Sequence, residues 1–258
     1  MNQIGVSSAA MEWCWTHFEN MRRMLKIAVV GAAMMLPLAM NAQDKVEAMV
    51  GADLVSSYIW RGQDLGSAAV QPTLGIVYKG FSAEAWGSYG IADPDDTKEF
   101  DLTLMYQTGG FSIGVVDYFY MGNIDDDRSD KFFMYEAHRT VHEFEAMVGY
   151  DFGVLSASWS TIFAGNDGVT RSGKRAYSSY FELAAPFKLG GLEWEAAVGA
   201  TPFVTSYYDV ATGFAVINTS LKATKEIKIT PTFSVPMYGV LAANPSAGKL
   251  YLTVGVSF

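Results

Sequence analysis

The carboxy-terminal ten residues, 249–258, alternate between apolar and polar or small side chains up to the last residue of the chain. Successive side chains of an extended strand point to opposite faces, so one face of this segment is apolar along its whole length. A transmembrane β-barrel needs such a closing strand, because its last strand pairs with its first and leaves no free edge. Soluble sandwiches contain similar strands, so this pattern alone does not separate the two classes. The apolar face, which we also predict to be the signal read by the barrel-assembly machinery, consists of Leu250, Leu252, Val254, Val256 and Phe258.

Composition favours a barrel over a bundle of membrane helices. Aromatic residues make up 14% of the chain, charged residues make up 17%, and there are 25 glycines, as expected of a barrel with aromatic girdles and glycine-containing turns. The mean hydropathy of +0.13 is too low for a helical membrane bundle. The net charge of −9 argues against nucleic acid as a partner.

The amino-terminal part has the organisation of a secretory signal peptide. A basic stretch over 21–26 precedes an apolar run over 27–40, which is too short to span a bilayer, and cleavage is expected after Ala42. We therefore divide the chain into an upstream extension (1–20), a signal peptide (21–42) and an outer-membrane barrel (43–258). The single cysteine, Cys14, lies in the removed part, so no disulfide or thiol site is expected in the mature protein.

From Val46 onward the apolar residues follow a period of two, which predicts an all-β, up-and-down antiparallel transmembrane barrel of about twelve strands. The clearest strands have about nine to eleven residues, the length that a tilted strand needs to cross a bilayer. The predicted strands are 48–60, 70–78, 81–91, 100–108, 111–119, 143–151, 154–163, 177–187, 192–200, 214–223, 229–237 and 249–258.

The connections between these strands alternate in length. Tight turns are predicted at 79–80, 109–110, 152–153, 189–190 and near Lys225, and the links between them are long and polar. Transmembrane barrels have short periplasmic turns and long outer loops, so this alternation supports a barrel with both termini in the periplasm. Outward aromatic residues are expected at the two ends of the strands, and those expected at the outer rim are Tyr58, Trp60, Tyr89, Phe100, Phe119 and Phe144.

The face predicted to point into the barrel is acidic. Carboxylates lining a narrow pore favour cations or polyhydroxylated solutes over anions. The alternative is a salt-bridged network that fills the lumen and conducts nothing. Arg61 is expected to lie near Asp53 or Asp64 at the outer rim, or else to satisfy backbone carbonyls in a turn. The candidate pore-lining residues are Asp53, Arg61, Glu84, Asp101, Glu143, Glu145, Glu193, Glu195 and Lys222.

No catalytic, cofactor or metal site is predicted. The acidic runs 93–96 and 125–127 lack the spacing of a calcium loop. We therefore expect them to be solvated outer loops, which divalent ions could bridge to lipopolysaccharide. His138 and His142 lie four residues apart in a segment that resembles a strand, where two side chains so spaced point to one face but stand well apart. An outer-membrane hydrolase would need a nucleophile beside an oriented histidine, and we expect no enzyme.

The segment 53–62, followed by Gln63, Ser67, the proline-bearing segment 70–75 and the segment 80–86, resembles the opening of the TorF family of porins. Members of that family begin their barrel with a Tyr-x-x-Arg-Gly turn and a second strand that contains proline. The chain differs in having Gln63-Asp64-Leu65 where the family has a serine-rich loop. The resemblance implies an outer-membrane barrel and leaves the solute open.

These observations together predict a porin-like channel in the cell outer membrane, through which small polar or cationic solutes diffuse. A non-conducting structural or surface-binding barrel is the alternative, and a hydrolase is a less favoured one. The expected partners are outer-membrane lipid and lipopolysaccharide, the barrel-assembly machinery and the solutes. The sequence leaves the oligomeric state open.

Overall fold

The computed structural model describes residues 45–93, 96, 98–121, 128, 131–231 and 233–258. The predicted extension, signal peptide and acidic run 125–127, together with Cys14, lie outside these residues. Within them no helix is long and apolar enough to cross a membrane. The regular elements of the described chain are the strands β1 Glu47–Val55, β2 Tyr58–Trp60, β3 Gln63–Gly66, β4 Ala69–Tyr78, β5 Phe81–Gly90, β6 Lys98–Thr108, β7 Phe111–Met121, β8 Glu143–Asp151, β9 Ser156–Gly165, β10 Ser179–Leu189, β11 Leu192–Thr201, β12 Ala215–Thr230, β13 Phe233–Asn244 and β14 Lys249–Ser257.

Twelve of these strands form one closed antiparallel barrel, as the sequence predicted. Each wall strand pairs with its neighbours in the chain, and β1 closes the ring by pairing with both β4 and β14. The seam between β1 and β14 places Asp53 opposite Ser257, and the backbones of Ala52 and Phe258 exchange two hydrogen bonds beside it. Because the ring is closed, the wall has no edge with unpaired backbone groups. The strands β2 and β3 are not members of this ring and pair with each other in a separate two-stranded sheet.

Side chains along the wall alternate between an apolar outer face and a largely polar inner face. In β14, Leu252 is 70% exposed on the outside, whereas its neighbour Thr253 is buried inside. The same alternation in β4 exposes Leu74 and Ile76 and buries Thr73. The predicted apolar face of the last strand is therefore on the outside of the barrel.

Two predicted hairpins have the expected register and others differ. The turns at 79–80 and 109–110 join Tyr78 to Phe81 and Thr108 to Phe111, as predicted. The turn predicted at 189–190 lies one residue later, because Gly190 and Gly191 both take positive φ angles, 62° and 77°. A two-residue type I′ turn requires positive φ at both central positions, and glycine meets this requirement without strain.

Two further turns were predicted wrongly. The link after β8 is a four-residue loop that pairs Asp151 with Ser156, so Val154 does not face the lumen. The turn predicted near Lys225 does not exist, since β12 continues to Thr230. Its polar residues form the exposed end of a strand, and Pro231, which has no N–H group to donate, follows the last residue of that strand.

On the outside of β7, the segment 131–142 folds back over the barrel wall. Phe119 points outward as predicted, yet it is buried because the rings of Phe132 and His142 pack on it. His142 Nδ1 lies 2.6 Å from Oδ1 of Asp117, and His142 Nε2 lies 2.7 Å from the carbonyl oxygen of Phe132. Asp117 is on the outer face of the wall, where a carboxylate needs such a partner.

Replacing His142 with alanine is expected to lower the free energy of unfolding by about 1–3 kcal/mol, because the covered Asp117 carboxylate loses a hydrogen-bond partner. The urea midpoint of the refolded barrel in lipid vesicles measures this loss. Arg139→Ala is the matched control, since its ion pair with Glu136 is exposed and a surface pair contributes about 0–1 kcal/mol. Equal midpoints for the two variants would show that His142 does not hold this segment to the wall.

Candidate functional site

A short hairpin lies inside the barrel. The strands β2 and β3 connect the paired ends of β1 and β4, where Val55 faces Ala69. Arg61 and Gly62 form the turn between them, with φ angles of 44° and 73°. A Cβ atom on Gly62 would lie 1.9 Å from the carbonyl oxygen of Ile217, so the turn packs directly against the backbone of β12.

Further contacts hold the hairpin to the wall. Asn244 Nδ2 donates a hydrogen bond of 3.1 Å to the carbonyl oxygen of Gly62. At the other end, the carboxylate of Asp96 accepts from the backbone and side chain of Ser67. Asp96, which belongs to one of the predicted acidic loops, therefore anchors the hairpin.

The hairpin corrects two predictions. The predicted strand 48–60 breaks after Val55, where the chain leaves the wall. Tyr58 and Trp60 were predicted to point outward at the outer rim, and they are instead buried inside at 3% and 1% exposure. Alternation continues across the break at 56–57, which is why the sequence could not separate the hairpin from the wall strand before it.

Arg61 connects the hairpin to the opposite wall. Its Nη1 donates to Glu145 Oε1 at 2.8 Å and its Nη2 to Glu145 Oε2 at 3.0 Å, which is the bidentate geometry of a strong arginine–carboxylate pair. Ser160 Oγ and Tyr208 Oη accept further hydrogen bonds from the guanidinium, and Tyr118 donates to Glu145 Oε2. Because β8 is nearly opposite β1 in the ring, this cluster spans the lumen.

The partner of Arg61 was predicted wrongly, since it is Glu145 and neither Asp53 nor Asp64. The guanidinium also lies over two rings, 4.4 Å from the centroid of Trp60 and 4.3 Å from that of Tyr180. Burial alone would lower the pKa of Arg61, but Glu145, together with Tyr208 and Tyr118, more than offsets burial and raises that pKa well above the ordinary value. The Arg61 guanidinium therefore stays protonated.

A second segment, 202–214, also enters the lumen. It was predicted to be a polar outer loop, but Tyr207 and Tyr208 are buried, and Thr205 pairs with Val210 to close a small turn between them. The adjacent tyrosines, together with Phe203, Val204 and Val210, were the signal for this in the sequence. The two inserted segments and the wall share one cluster, formed by Tyr58, Trp60, Leu65, Trp86, Met105, Val116, Tyr118, Met147, Ile162, Tyr180, Tyr207, Tyr208, Val210 and Ile217.

The predicted pore-lining residues fall into separate groups. Arg61 and Glu145 form the cross-lumen pair. Glu84, Asp101 and Glu143 are buried on the β5–β8 side, where the tyrosines of the cluster donate to neighbouring carboxylates, as Tyr58 does to Glu99 at 2.9 Å. Glu84, Asp101 and Glu143 are thus buried inside the barrel, and their role as pore-lining residues stays a prediction.

The remaining four predicted residues lie on the other side of the barrel. Glu193 is exposed near the Gly190–Gly191 turn, paired with Lys188 at 3.2 Å. Asp53, Glu195 and Lys222 line a polar cavity of about 110 Å³ between the hairpin and the wall of β1 and β11 to β14. Glu195 and Lys222 are directly opposed across β11 and β12. The ammonium of Lys222 lies 4.5 Å from the ring centroid of Tyr238.

Metal ligands do not converge in the described ranges, where no group of three His, Cys, Asp or Glu side chains could hold an ion. His138 and His142 were predicted to lie on a strand, but His138 lies in a turn and His142 in irregular chain directly before β8. His142 instead forms the contacts with Asp117 described above.

Several solved structures are distantly similar to this chain. No family model and no curated protein matches the chain. Among solved structures, the NanC porin has 10% identity and a TM-score of 0.44, covering 81% of this chain and 99% of its own. An outer-membrane channel of the COG4313 group from Pseudomonas putida F1 has 11% identity and a TM-score of 0.38, covering 86% and 98%. Another porin has 11% identity and a TM-score of 0.33, covering 82% and 99%. With likenesses this distant, the fold is established by the barrel's own strand pairing, and membership of the TorF family stays a prediction.

Proposed function

We propose that this protein is an outer-membrane channel through which small polar or cationic solutes diffuse along a narrow path beside the hairpin. The observation that carries this proposal is the polar cavity lined by Asp53, Glu195 and Lys222 inside a closed barrel. Charged groups of both signs along an otherwise plugged lumen are expected in a selective water-filled path, because a sealed core would leave them desolvated at high cost.

Membrane insertion is supported by the outer face of the barrel. Large apolar side chains cover it, including Val50 at 76% exposure and Leu252 at 70%. A soluble protein rarely exposes so much apolar surface. The closed ring also meets the requirement that no backbone group be left unpaired in lipid. The wall strands are long enough to cross a bilayer at a tilt.

Location and partners follow from the same architecture. We assign the barrel to the outer membrane, with both termini in the periplasm and the long loops outside, because short turns and long loops alternate around the ring. Lipopolysaccharide would contact the loop end, and the barrel-assembly machinery would read the apolar face of β14 that ends at Phe258.

Replacing Glu195 with glutamine is expected to weaken the cation preference of the channel, since it removes one of the two carboxylates that line the cavity. The measurement is the reversal potential of single channels under a salt gradient in a planar bilayer. Glu136→Gln is the matched control, because that carboxylate has the same charge but is exposed on segment 131–142, on the outside of the barrel. An unchanged reversal potential in the Glu195 variant would show that ions do not pass through this cavity.

A second candidate function is a non-conducting barrel with a structural or surface-binding role. The observation that favours it is the aromatic plug, in which the hairpin and the segment 202–214 fill much of the lumen. A folded barrel that carries no current would establish this alternative. A hydrolase is not proposed, because both ring nitrogens of His142 are engaged by Asp117 and the Phe132 carbonyl.

A further inference from the structure

We propose that the cavity beside the hairpin is a binding subsite for a small zwitterion, a molecule that carries one ammonium and one carboxylate group. This inference rests on the proposed channel function and names the class of solute that the channel selects. It is carried by three groups at the cavity that form no hydrogen bond in the described part of the chain: the Lys222 ammonium, the Glu195 carboxylate and the Nε of Arg61.

Lys222 and Glu195 are the first such groups. They are opposed across β11 and β12, which places their Cβ atoms about 5 Å apart. Neither forms a hydrogen bond or a direct ion pair within the described ranges. The ammonium of Lys222 lies over the ring of Tyr238, and it interacts with Glu195 and Asp53 only through space. The cavity therefore presents an ammonium and a carboxylate that have not neutralised one another by direct contact.

Arg61 supplies an additional donor. Its terminal nitrogens are used by Glu145, Ser160 and Tyr208, but its Nε is buried and has no partner in the described part of the chain. Arg61 lines the same cavity and is 2% exposed. A buried N–H group without an acceptor is costly, so a ligand oxygen at this position would be favourable.

The charges of these groups are complementary to the two ends of a zwitterion. Lys222 and the Nε of Arg61 can donate to a carboxylate, while Glu195 and Asp53 can accept from an ammonium. With a neutral polyol, the lysine and the carboxylates would interact only with each other and at a distance, whereas a zwitterion gives each of them a direct contact of opposite charge. The site therefore favours a zwitterion over a polyol.

The volume limits the size of the solute. A cavity of about 110 Å³ has room for the equivalent of about four water molecules at about 30 Å³ each. Glycine is a zwitterion of this size, and glycerol is a neutral molecule of similar size. These two compounds are suitable probes because they differ mainly in charge.

The test is uptake of radiolabelled glycine and radiolabelled glycerol, each at low concentration, into liposomes containing the full mature chain. We expect glycine to enter several-fold faster than glycerol, and excess unlabelled glycine to reduce its uptake. Lys222→Gln and Glu195→Gln should each slow glycine entry several-fold and leave glycerol entry unchanged. A simple charge filter would instead respond in opposite directions to these two variants, because they change the net charge of the cavity oppositely.

Lys225→Gln is the matched control, since Lys225 is on the same strand but exposed on the other face. Equal entry of glycine and glycerol, with no effect of either cavity variant, would contradict the binding subsite but would still support the channel function. Faster entry of glycerol would show that the cavity selects a polyol and not a zwitterion. A folded barrel that admits neither probe would overturn the channel itself, and the subsite with it.

Discussion

Replacing Arg61 with alanine is expected to lower the free energy of unfolding by about 3–5 kcal/mol and to raise the ion conductance of the barrel. The loss of stability follows because Glu145 would remain buried without its cationic partner. The gain in conductance follows because Arg61 is the side chain that ties the hairpin to the opposite wall. Urea unfolding in lipid vesicles and single-channel recording measure the two effects.

The control for this prediction is an exposed ion pair of the same barrel. Lys188→Ala breaks the contact with Glu193, which should change stability by no more than about 1 kcal/mol and leave conductance unaltered. A double-mutant cycle with Glu145→Gln isolates the coupling between the two partners. If Arg61→Ala changed the free energy of unfolding and the conductance as little as Lys188→Ala does, the cross-lumen pair would not hold the hairpin in place.

Shortening the hairpin is expected to have the largest effect on conductance. A four-residue Gly/Ser link between Val55 and Ala69 would keep the pairing of β1 with β4, because those two residues already face each other. It would remove Tyr58, Trp60 and Arg61 from the lumen. Single-channel current should then rise several-fold, and water entering the lumen would solvate the carboxylates left behind.

Folding of the shortened variant has to be checked separately, since it loses part of the buried cluster. Heat-modifiable migration on a gel reports whether the barrel is closed, independently of current. A closed variant whose conductance equals that of the intact protein would show that the hairpin does not limit the path.

The wall of the barrel was predictable because its signal is local. Alternation of period two places each side chain on one face without knowledge of distant residues, and this was sufficient for β4, β6, β8 and β14. Turns were less certain. At Leu189-Gly190-Gly191 the correct pair of turn residues depends on which positions take positive φ, and the two possible pairs, 189–190 and 190–191, differ by only one position.

The plug was not predictable because its contacts are between residues far apart in sequence. Arg61 and Glu145 are 84 residues apart, and nothing near either one indicates the other. Tyr58 and Trp60 are two residues apart and continue the outward face of β1 in the sequence, as rim aromatics would, so their inward position depends on the break after Val55. The alternation of side chains identified the charged residues that point into the lumen. Which of them pack beside the plug and which line the cavity depends on the position of the hairpin.

The most direct test is the single-channel current of the unaltered mature chain in a planar bilayer, with the reversal potential measured under a salt gradient. A narrow path beside the hairpin predicts small, discrete, cation-preferring current steps from a barrel that migrates as folded. A folded barrel that stays electrically silent would contradict the channel and leave the plugged lumen as the working state of the protein.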